Sequence, residues 1–292
     1  MSDDAPMPDV TLPGVTIAYD VFGPSTGEPV VFVCGLSQPA VAWQLTLVPA
    51  LTEAGYRVVT FDNRGVAPSS SPAAPYTIDE MVEDTIGLLD HLGLGAVRVA
   101  GYSMGGWIAE TMAWRHPERV RAGVFIGSCN VGTSWEKAVT TVERDLARLD
   151  PELPAWFNAV ETLRYLPNHD LQQDSIVDEW MALIGGLEPW PNPGRLGQYE
   201  AALAWSLDVD RIRRWPEITA PCLVLSFEHD VDSPPARARE AAAAIPGARF
   251  VEVAGASHLG VFTHADKVAT EILGFFAPTT EGHRTDGPCS AP

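Results

Sequence analysis

The chain has 292 residues, 46 % of them hydrophobic, and 38 acidic against 19 basic side chains give a net charge of −19 and a pI of about 4.6. That much apolar material supports a large core and excludes disorder or a coiled coil as the body of the protein. So acidic a field repels nucleic acid and anionic membrane surfaces, and neither is expected as a partner. The N-terminus, Met1-Ser-Asp-Asp-Ala-Pro6, lacks the positive and apolar regions of a signal peptide, and no apolar run reaches transmembrane length. The 4 cysteines, Cys34, Cys129, Cys222 and Cys289, show no metal-binding spacing. No metal or other cofactor is expected, and a reduced, cytoplasmic setting is.

Residues 1–9 read as a loose leader. Val15 to Val21 suggests a first strand, and Pro29-Val-Val-Phe-Val-Cys34 a buried one, followed by the loop Gly35-Leu36-Ser37-Gln38-Pro39. Ala42 to Ala54 predicts a helix, and Tyr56 to Phe61 a strand that ends in Asp62-Asn63-Arg64-Gly65. Thr77 with Glu80 three residues on is a capping-box pattern for the next helix, and Gly93 marks its exit. Val97, Val99 and Ala100 mark a buried strand, Gly101-Tyr102-Ser103-Met104-Gly105 a sharp turn, and Gly106 to about Arg115 a helix. A further strand covers Ala122 to Gly127.

From about Val131 to Trp215 no strand pattern appears. Prolines at 151, 154, 167, 189, 191 and 193 cut the helical stretches, and tryptophans recur at 135, 156, 180, 190, 205 and 215. This segment reads as a helical lid whose tryptophans mostly pack it onto the core. The sheet resumes with Pro221 to Ser226, a helix spans Pro234 to Ala244, a last strand Arg249 to Val253, and a closing helix Ala265 to Phe276. Strands alternating with helices predict an α/β fold with a mostly parallel central sheet and helices on both faces. The expected division is a core of 10–130 and 216–277, a lid of 131–215, and a disordered tail of 278–292.

The turn around Ser103 has the pattern G-x-S-x-G between strand and helix. Gly101 and Gly105 spare a strained backbone from side-chain bulk, and the turn lifts the Ser103 hydroxyl clear. A serine hydroxyl needs a base, imidazole suits neutral pH, and the imidazole needs a carboxylate on its other nitrogen. Asp230 and His258 each follow a predicted strand, where the loops of a parallel sheet meet. Glu228 and Asp232 compete with Asp230 for the acid, and His229 and His264 with His258 for the base. The backbone N–H of Met104 and that of Leu36, with Ser37 second, are the candidates to hold a negative oxygen.

With Asp62-Asn-Arg-Gly65 and Ser69, these residues make the chain from about Val15 to Phe276 resemble the α/β-hydrolase superfamily. The branch it is similar to contains lid-bearing esterases, enol-lactonases, carbon–carbon-bond hydrolases and cofactor-free haloperoxidases. The chain departs from many relatives in having Cys34-Gly35 instead of His-Gly before the oxyanion loop, and Ala67 for a second glycine. Asp62 and Arg64 are expected to brace loops under the site. The resemblance implies a serine hydrolase acting on a small, mainly apolar ester, thioester or lactone. Carbon–carbon cleavage, perhydrolysis, or use of the scaffold for binding or cyclisation alone are the alternatives. An aspartate nucleophile, expected of dehalogenases and epoxide hydrolases, is replaced here by Ser103.

Overall fold

Val30, Val31, Phe32 and Val33 are wholly shielded from solvent, and they divide between two apolar layers. Val31 and Val33 join one, Val30 and Phe32 the other. That alternation is what a strand buried on both faces produces. The computed structural model describes residues 7–128, 132–149, 155–185 and 193–277. Its strands are β1 (Asp9–Leu12), β2 (Val15–Phe22), β3 (Pro29–Val33), β4 (Arg57–Phe61), β5 (Val97–Tyr102), β6 (Val120–Ile126), β7 (Cys222–Phe227) and β8 (Arg249–Val253). They form one 8-stranded sheet in the order β1-β2-β4-β3-β5-β6-β7-β8. Only the β1–β2 and β2–β4 pairs are antiparallel; from β4 to β8 the sheet is parallel.

Helices α1 (Val41–Gln44), α2 (Val48–Glu53) and the closing helix α11 (Ala265–Phe276) cover the Val30 and Phe32 face through Trp43, Leu51, Val268 and Ile272. Helices α3 (Ile78–His91), α4 (Met104–Arg115) and α10 (Pro235–Ala244) cover the other through Val82, Leu89, Ile108, Met112 and Ala238. The capping box opens α3 as predicted: the Glu80 N–H donates to Thr77 Oγ1 at 3.1 Å, and the Thr77 N–H donates to Glu80 Oε2 at 2.9 Å. Gly93, with φ +65°, lies just beyond its end.

The expectation of a leader through residue 9 is corrected at its end, where Asp9 already pairs with Ala18 across the β1–β2 hairpin. Pro13 and Gly14, φ +80°, make its two-residue turn. The helix expected over Ala42 to Ala54 is two short ones. Pro49 has no N–H for the Leu45 carbonyl, and Thr46 Oγ1 donates back to Ala42 O at 2.7 Å, so the chain breaks between them. Helix α4 begins at Met104, two residues earlier than expected, directly after Ser103.

Between β6 and β7 lies a helical insertion: α5 (Ser134–Leu149), α6 (Ala155–Leu163), α7 (Asn168–Leu171), α8 (Asp174–Gly185) and α9 (Arg195–Leu207), then a 3-10 segment at Arg211–Glu217. Helix α5 packs along α9, and α6 along α8. Ala201, Ala202, Trp205 and Trp215 join the core layer beside α4, whereas Leu163, Leu166, Tyr165 and Trp180 gather around Leu259 and Phe262. Trp180, Trp205 and Trp215 thus pack insertion against core, while Trp135, half exposed, reaches the core through its ring N–H, which donates to Asp232 Oδ1 at 2.8 Å. Helix α9 is fastened at both ends. The Gly194 N–H donates to Gly65 O at 3.0 Å, with the backbones so close that a Cβ on Gly194 would lie 2.2 Å from Gly65 Cα. Beyond its other end, Glu110 of α4 accepts Trp215 Nε1 at 2.7 Å and faces Arg211 at 3.5 Å, and Arg211 covers the Trp205 ring. Residues 1–6, Cys129, Cys289, Trp190 and the tail 278–292 lie outside the described residues, as do the side chains of Trp156 and Ile184. Among the described residues no helix is long and apolar enough to cross a membrane.

Candidate active site

Ser103 joins β5 to α4 in a left-handed conformation, φ 53° and ψ −121°, which a residue with a Cβ adopts only under constraint. Its N–H donates to Ile126 O at 2.9 Å, and its carbonyl accepts from Gly106 N–H at 2.8 Å. The three glycines around it are forced by contact. A Cβ on Gly101 would meet Gly105 O at 2.0 Å, one on Gly105 would meet Val33 O at 2.2 Å, and one on Gly106 would meet Ser128 Cβ at 2.4 Å. A tight turn pressed between two strands therefore admits no side chain at these positions.

The loops after β7 and β8 are tied together: the His229 N–H donates to Ala256 O at 2.8 Å and Ser257 Oγ to His229 O at 3.0 Å. They bring Asp230 and His258, both buried, next to Ser103. His258 Nε2 lies 3.0 Å from Ser103 Oγ, and His258 Nδ1 lies 2.7 Å from Asp230 Oδ2. The other carboxylate oxygen accepts the N–H groups of Asp232 at 2.9 Å and Ser233 at 2.8 Å. Burial works against an imidazolium at His258, but the charge of Asp230 and its hydrogen bond outweigh it, and His258 titrates above its ordinary value. Two aromatic rings pack against the imidazole, Tyr102 at 5.2 Å and Tyr165 at 5.0 Å, and Tyr102 Oη donates to the His258 carbonyl at 2.9 Å. A hydroxyl, an imidazole and a carboxylate in this series can pass a proton from oxygen to nitrogen.

The rival residues are occupied elsewhere. Asp232 Oδ1 accepts Trp135 Nε1 at 2.8 Å, and Glu228 Oε2 accepts the Gly255 N–H at 2.8 Å. His264 lies 2.9 Å from Thr263 Oγ1, and His229 faces the His169 ring. None of these four touches Ser103 by a hydrogen bond among the described residues.

The loop after β3 is held residue by residue. Asn63 Nδ2 donates to Cys34 O at 2.9 Å, the Gly35 N–H to Gln38 Oε1 at 2.7 Å, the Ser37 N–H to Gln198 Oε1 at 2.8 Å, and the Ala40 N–H to Asp62 Oδ1 at 2.7 Å. The Leu36 N–H makes no hydrogen bond to a described residue. As the first residue of α4, Met104 has no intrahelical acceptor for its N–H. Asp62 and Arg64 brace the loops as expected. Burial pushes Asp62 up to about 7, and Arg64 grips Asp84 at 2.7 and 2.8 Å and Glu80 at 3.0 Å. In place of the histidine of many relatives, Cys34 is buried with its Sγ 3.5 Å from Phe61 O, and burial raises its pKa.

Sequence reasoning missed Gln198, Tyr165 and the second role of Tyr102. Tyr102 stood inside the recognised turn, next to the nucleophile, and could have been noted. Nothing in the order of residues around Tyr165 or Gln198 marks them.

A family model described as alpha/beta hydrolase fold matches residues 28–265. BpoC of Mycobacterium tuberculosis, a protein named as a non-heme bromoperoxidase, is 34 % identical over 267 residues, 90 % of this chain and 98 % of that one. Its crystal structure superposes with a TM-score of 0.80 over 89 % of this chain and 95 % of BpoC. The enol-lactonase of Burkholderia xenovorans is 26 % identical, with a TM-score of 0.77 over 92 % of this chain and 99 % of its own. The rhodomycin D methylesterase DauP of a Streptomyces species is 25 % identical over 270 residues, 85 % of this chain and 91 % of DauP. With its parallel sheet, its serine turn and these relatives, the chain belongs to the alpha/beta hydrolase fold family.

Proposed function

We propose that the protein is a serine hydrolase that cleaves a carboxylic ester, thioester or lactone of a small, mainly apolar substrate. The observation that carries the reading is the unbroken series Ser103 Oγ, His258 and Asp230, at 3.0 and 2.7 Å. Ser103 Oγ attacks the carbonyl carbon while its proton passes to His258 Nε2, and Asp230 supports the imidazolium that forms. The carbonyl oxygen becomes an oxyanion between the N–H groups of Met104 and Leu36. Leu36 is preferred to Ser37 because the Ser37 N–H is already given to Gln198. The C–O or C–S bond then breaks as His258 returns the proton to the leaving group. Water, deprotonated by the same imidazole, releases the acid and restores Ser103.

We read residues 131–215 as a lid over this site. Arg164, beside the Tyr165 that faces His258, is engaged by Glu143 at 2.7 Å and Glu161 at 2.6 Å. An arginine so neutralised does not recruit a substrate carboxylate, which favours a neutral acyl group. No cofactor enters the reaction as written, a small molecule is the partner, and the buried free thiols of Cys34 and Cys222 suit a cytoplasmic setting. A second reading, perhydrolysis, draws on the name of BpoC: hydrogen peroxide in place of water would turn the acyl-enzyme into a peracid able to oxidise bromide.

The test is a panel of nitrophenyl esters, lactones and thioesters, with Ser103 labelled by a fluorophosphonate. Each buried methylene is worth about 0.8 kcal/mol, close to fourfold, so kcat/KM should rise over the first few acyl carbons and then fall. A strong preference for half-esters of dicarboxylic acids would refute the neutral-pocket reading. Peroxide-dependent bromination outpacing hydrolysis would favour the second one.

A further inference from the structure

We propose that Gln198, on helix α9 of the insertion, is a positioning residue of the oxyanion loop: it holds Ser37 in a left-handed conformation and so keeps the neighbouring Leu36 N–H available to substrate. The inference rests on the serine-hydrolase reading and deepens it. Ser37 has φ +58°, and with Ser103 it is one of the two non-glycine residues with positive φ among those described. Such a conformation persists only where the surroundings impose it. Asn63 and Asp62 hold the loop at its two ends, Cys34 and Ala40. In the middle the chain makes a turn, with the Gln38 N–H donating to Gly35 O at 3.2 Å, and Ser37 inside that turn gives its own N–H to the insertion, where Gln198 Oε1, 161 residues away in sequence, takes it at 2.8 Å.

The Gln198 amide has a defined orientation. Its Nε2 donates to the Arg64 carbonyl at 2.9 Å, so oxygen faces a donor and nitrogen an acceptor, and turning it over would oppose like groups at both ends. The side chain is fully buried, and α9 beneath it is pinned to Gly65 through Gly194. The acceptor offered to Ser37 is therefore stationary. Without it, Ser37 relaxes toward negative φ, the Leu36–Ser37 peptide turns, and the change passes across the Leu36 Cα to the Gly35–Leu36 peptide, which carries the Leu36 N–H. Because the oxyanion exists only in the transition state, the loss should fall on kcat and spare KM.

The experiment compares Gln198→Met, which cannot make either bond, with Gln198→Asn, which stays polar but is one methylene too short to span Ser37 and Arg64. The second variant serves if the first fails to fold. In the folded variants we expect kcat on a nitrophenyl ester to fall roughly 10²-fold, the scale of losing one oxyanion donor, with KM within about threefold. Adding Ser37→Gly to Gln198→Met should restore at least about tenfold, since glycine enters positive φ without a steric cost. A purely structural role for Gln198 predicts no such rescue. A kcat within threefold of the parent, or a loss that Ser37→Gly leaves untouched, would overturn the proposal. Absence of Ser103-dependent turnover in the parent would instead count against the hydrolase reading. The pinning is then read independently from hydrogen exchange at the Ser37 amide, slow in the parent and faster in Gln198→Met; equal rates would sink it whatever the activity.

Discussion

Replacing Asp230 by asparagine exchanges one atom and removes one charge, and the surrounding bonds dictate how the new amide sits. Oδ1 accepts two backbone N–H groups, from Asp232 and Ser233, while Oδ2 faces His258 Nδ1 at 2.7 Å. The asparagine oxygen stays with the two donors, because turning NH2 toward them would lose both bonds. The NH2 is then directed at Nδ1, which has to accept instead of donate. The imidazole proton moves to Nε2, the atom 3.0 Å from Ser103 Oγ, and a protonated Nε2 cannot take the serine proton. We expect kcat/KM to fall about 10⁴-fold, the cost of the wrong tautomer in such an arrangement, or about 5.4 kcal/mol of barrier. The pH profile gives a second readout. In the parent, burial disfavours the imidazolium but Asp230 outweighs it and holds the His258 pKa up, so activity is lost as pH falls through that raised value. Asparagine removes the support, and the acid limb of the residual activity should move to lower pH. The assay is kcat/KM on a nitrophenyl ester from about pH 5 to 9. Activity within tenfold of the parent, or an acid limb that stays in place, would refute the reasoning.

Ser103→Ala and His258→Ala should each cost on the order of 10⁶-fold in turnover, and the double variant no more than either, because the two act as a unit. His264→Ala should be mild; the reverse ranking of the two histidines would move the base to another loop. Gly106→Ala sets a Cβ 2.4 Å from the Ser128 Cβ and Oγ, so its Tm should drop by the equivalent of ~1–3 kcal/mol of overpacking; an unchanged Tm would deny the close contact. Arg64→Met leaves the buried Asp84 carboxylate without its two-pronged partner, and urea unfolding should show a loss of about 3–5 kcal/mol. A variant as stable as the parent would show that the pair braces nothing.

The parallel strands were legible because burial on both faces demands unbroken runs such as Val30 to Val33, and the serine turn because three contacts exclude every residue but glycine at 101, 105 and 106. Asp230 and His258 were legible from their places just after strands. The strand β1 was not: it has four residues with only Val10 buried, too short to show alternation. The break between α1 and α2 was written in Pro49 but masked by the apolar residues around it. Gln198 was illegible for a different reason. Its two partners lie 161 and 134 residues away, and a lone glutamine inside a helix carries no local sign of either. Long-range polar bonds between an insertion and a loop leave no period in the sequence.

The fastening of α9 divides the insertion into parts that can change at different cost. Gly194 against Gly65 at one end and Trp215 and Arg211 against Glu110 at the other leave little freedom to α9. Helices α6 to α8 reach the rest of the protein differently, mainly through apolar contacts of Leu163, Leu166, Tyr165 and Trp180 with Leu259 and Phe262, beside the ion pair of Arg164 with Glu143 of α5. Apolar packing of that kind tolerates exchange of one hydrophobic residue for another of similar volume, while a buried pair of directed hydrogen bonds does not. On the proposed reading of the insertion as a lid, descendants of this chain would drift toward new substrates by substitution in α6 to α8 while inheriting the groups around Ser37 and Ser103 unchanged. Selection for a new acyl group and selection for rate would then act on largely separate residues, and a library over 155–185 that keeps Arg164 and Tyr165, the latter packed on His258, would diversify the first without eroding the second.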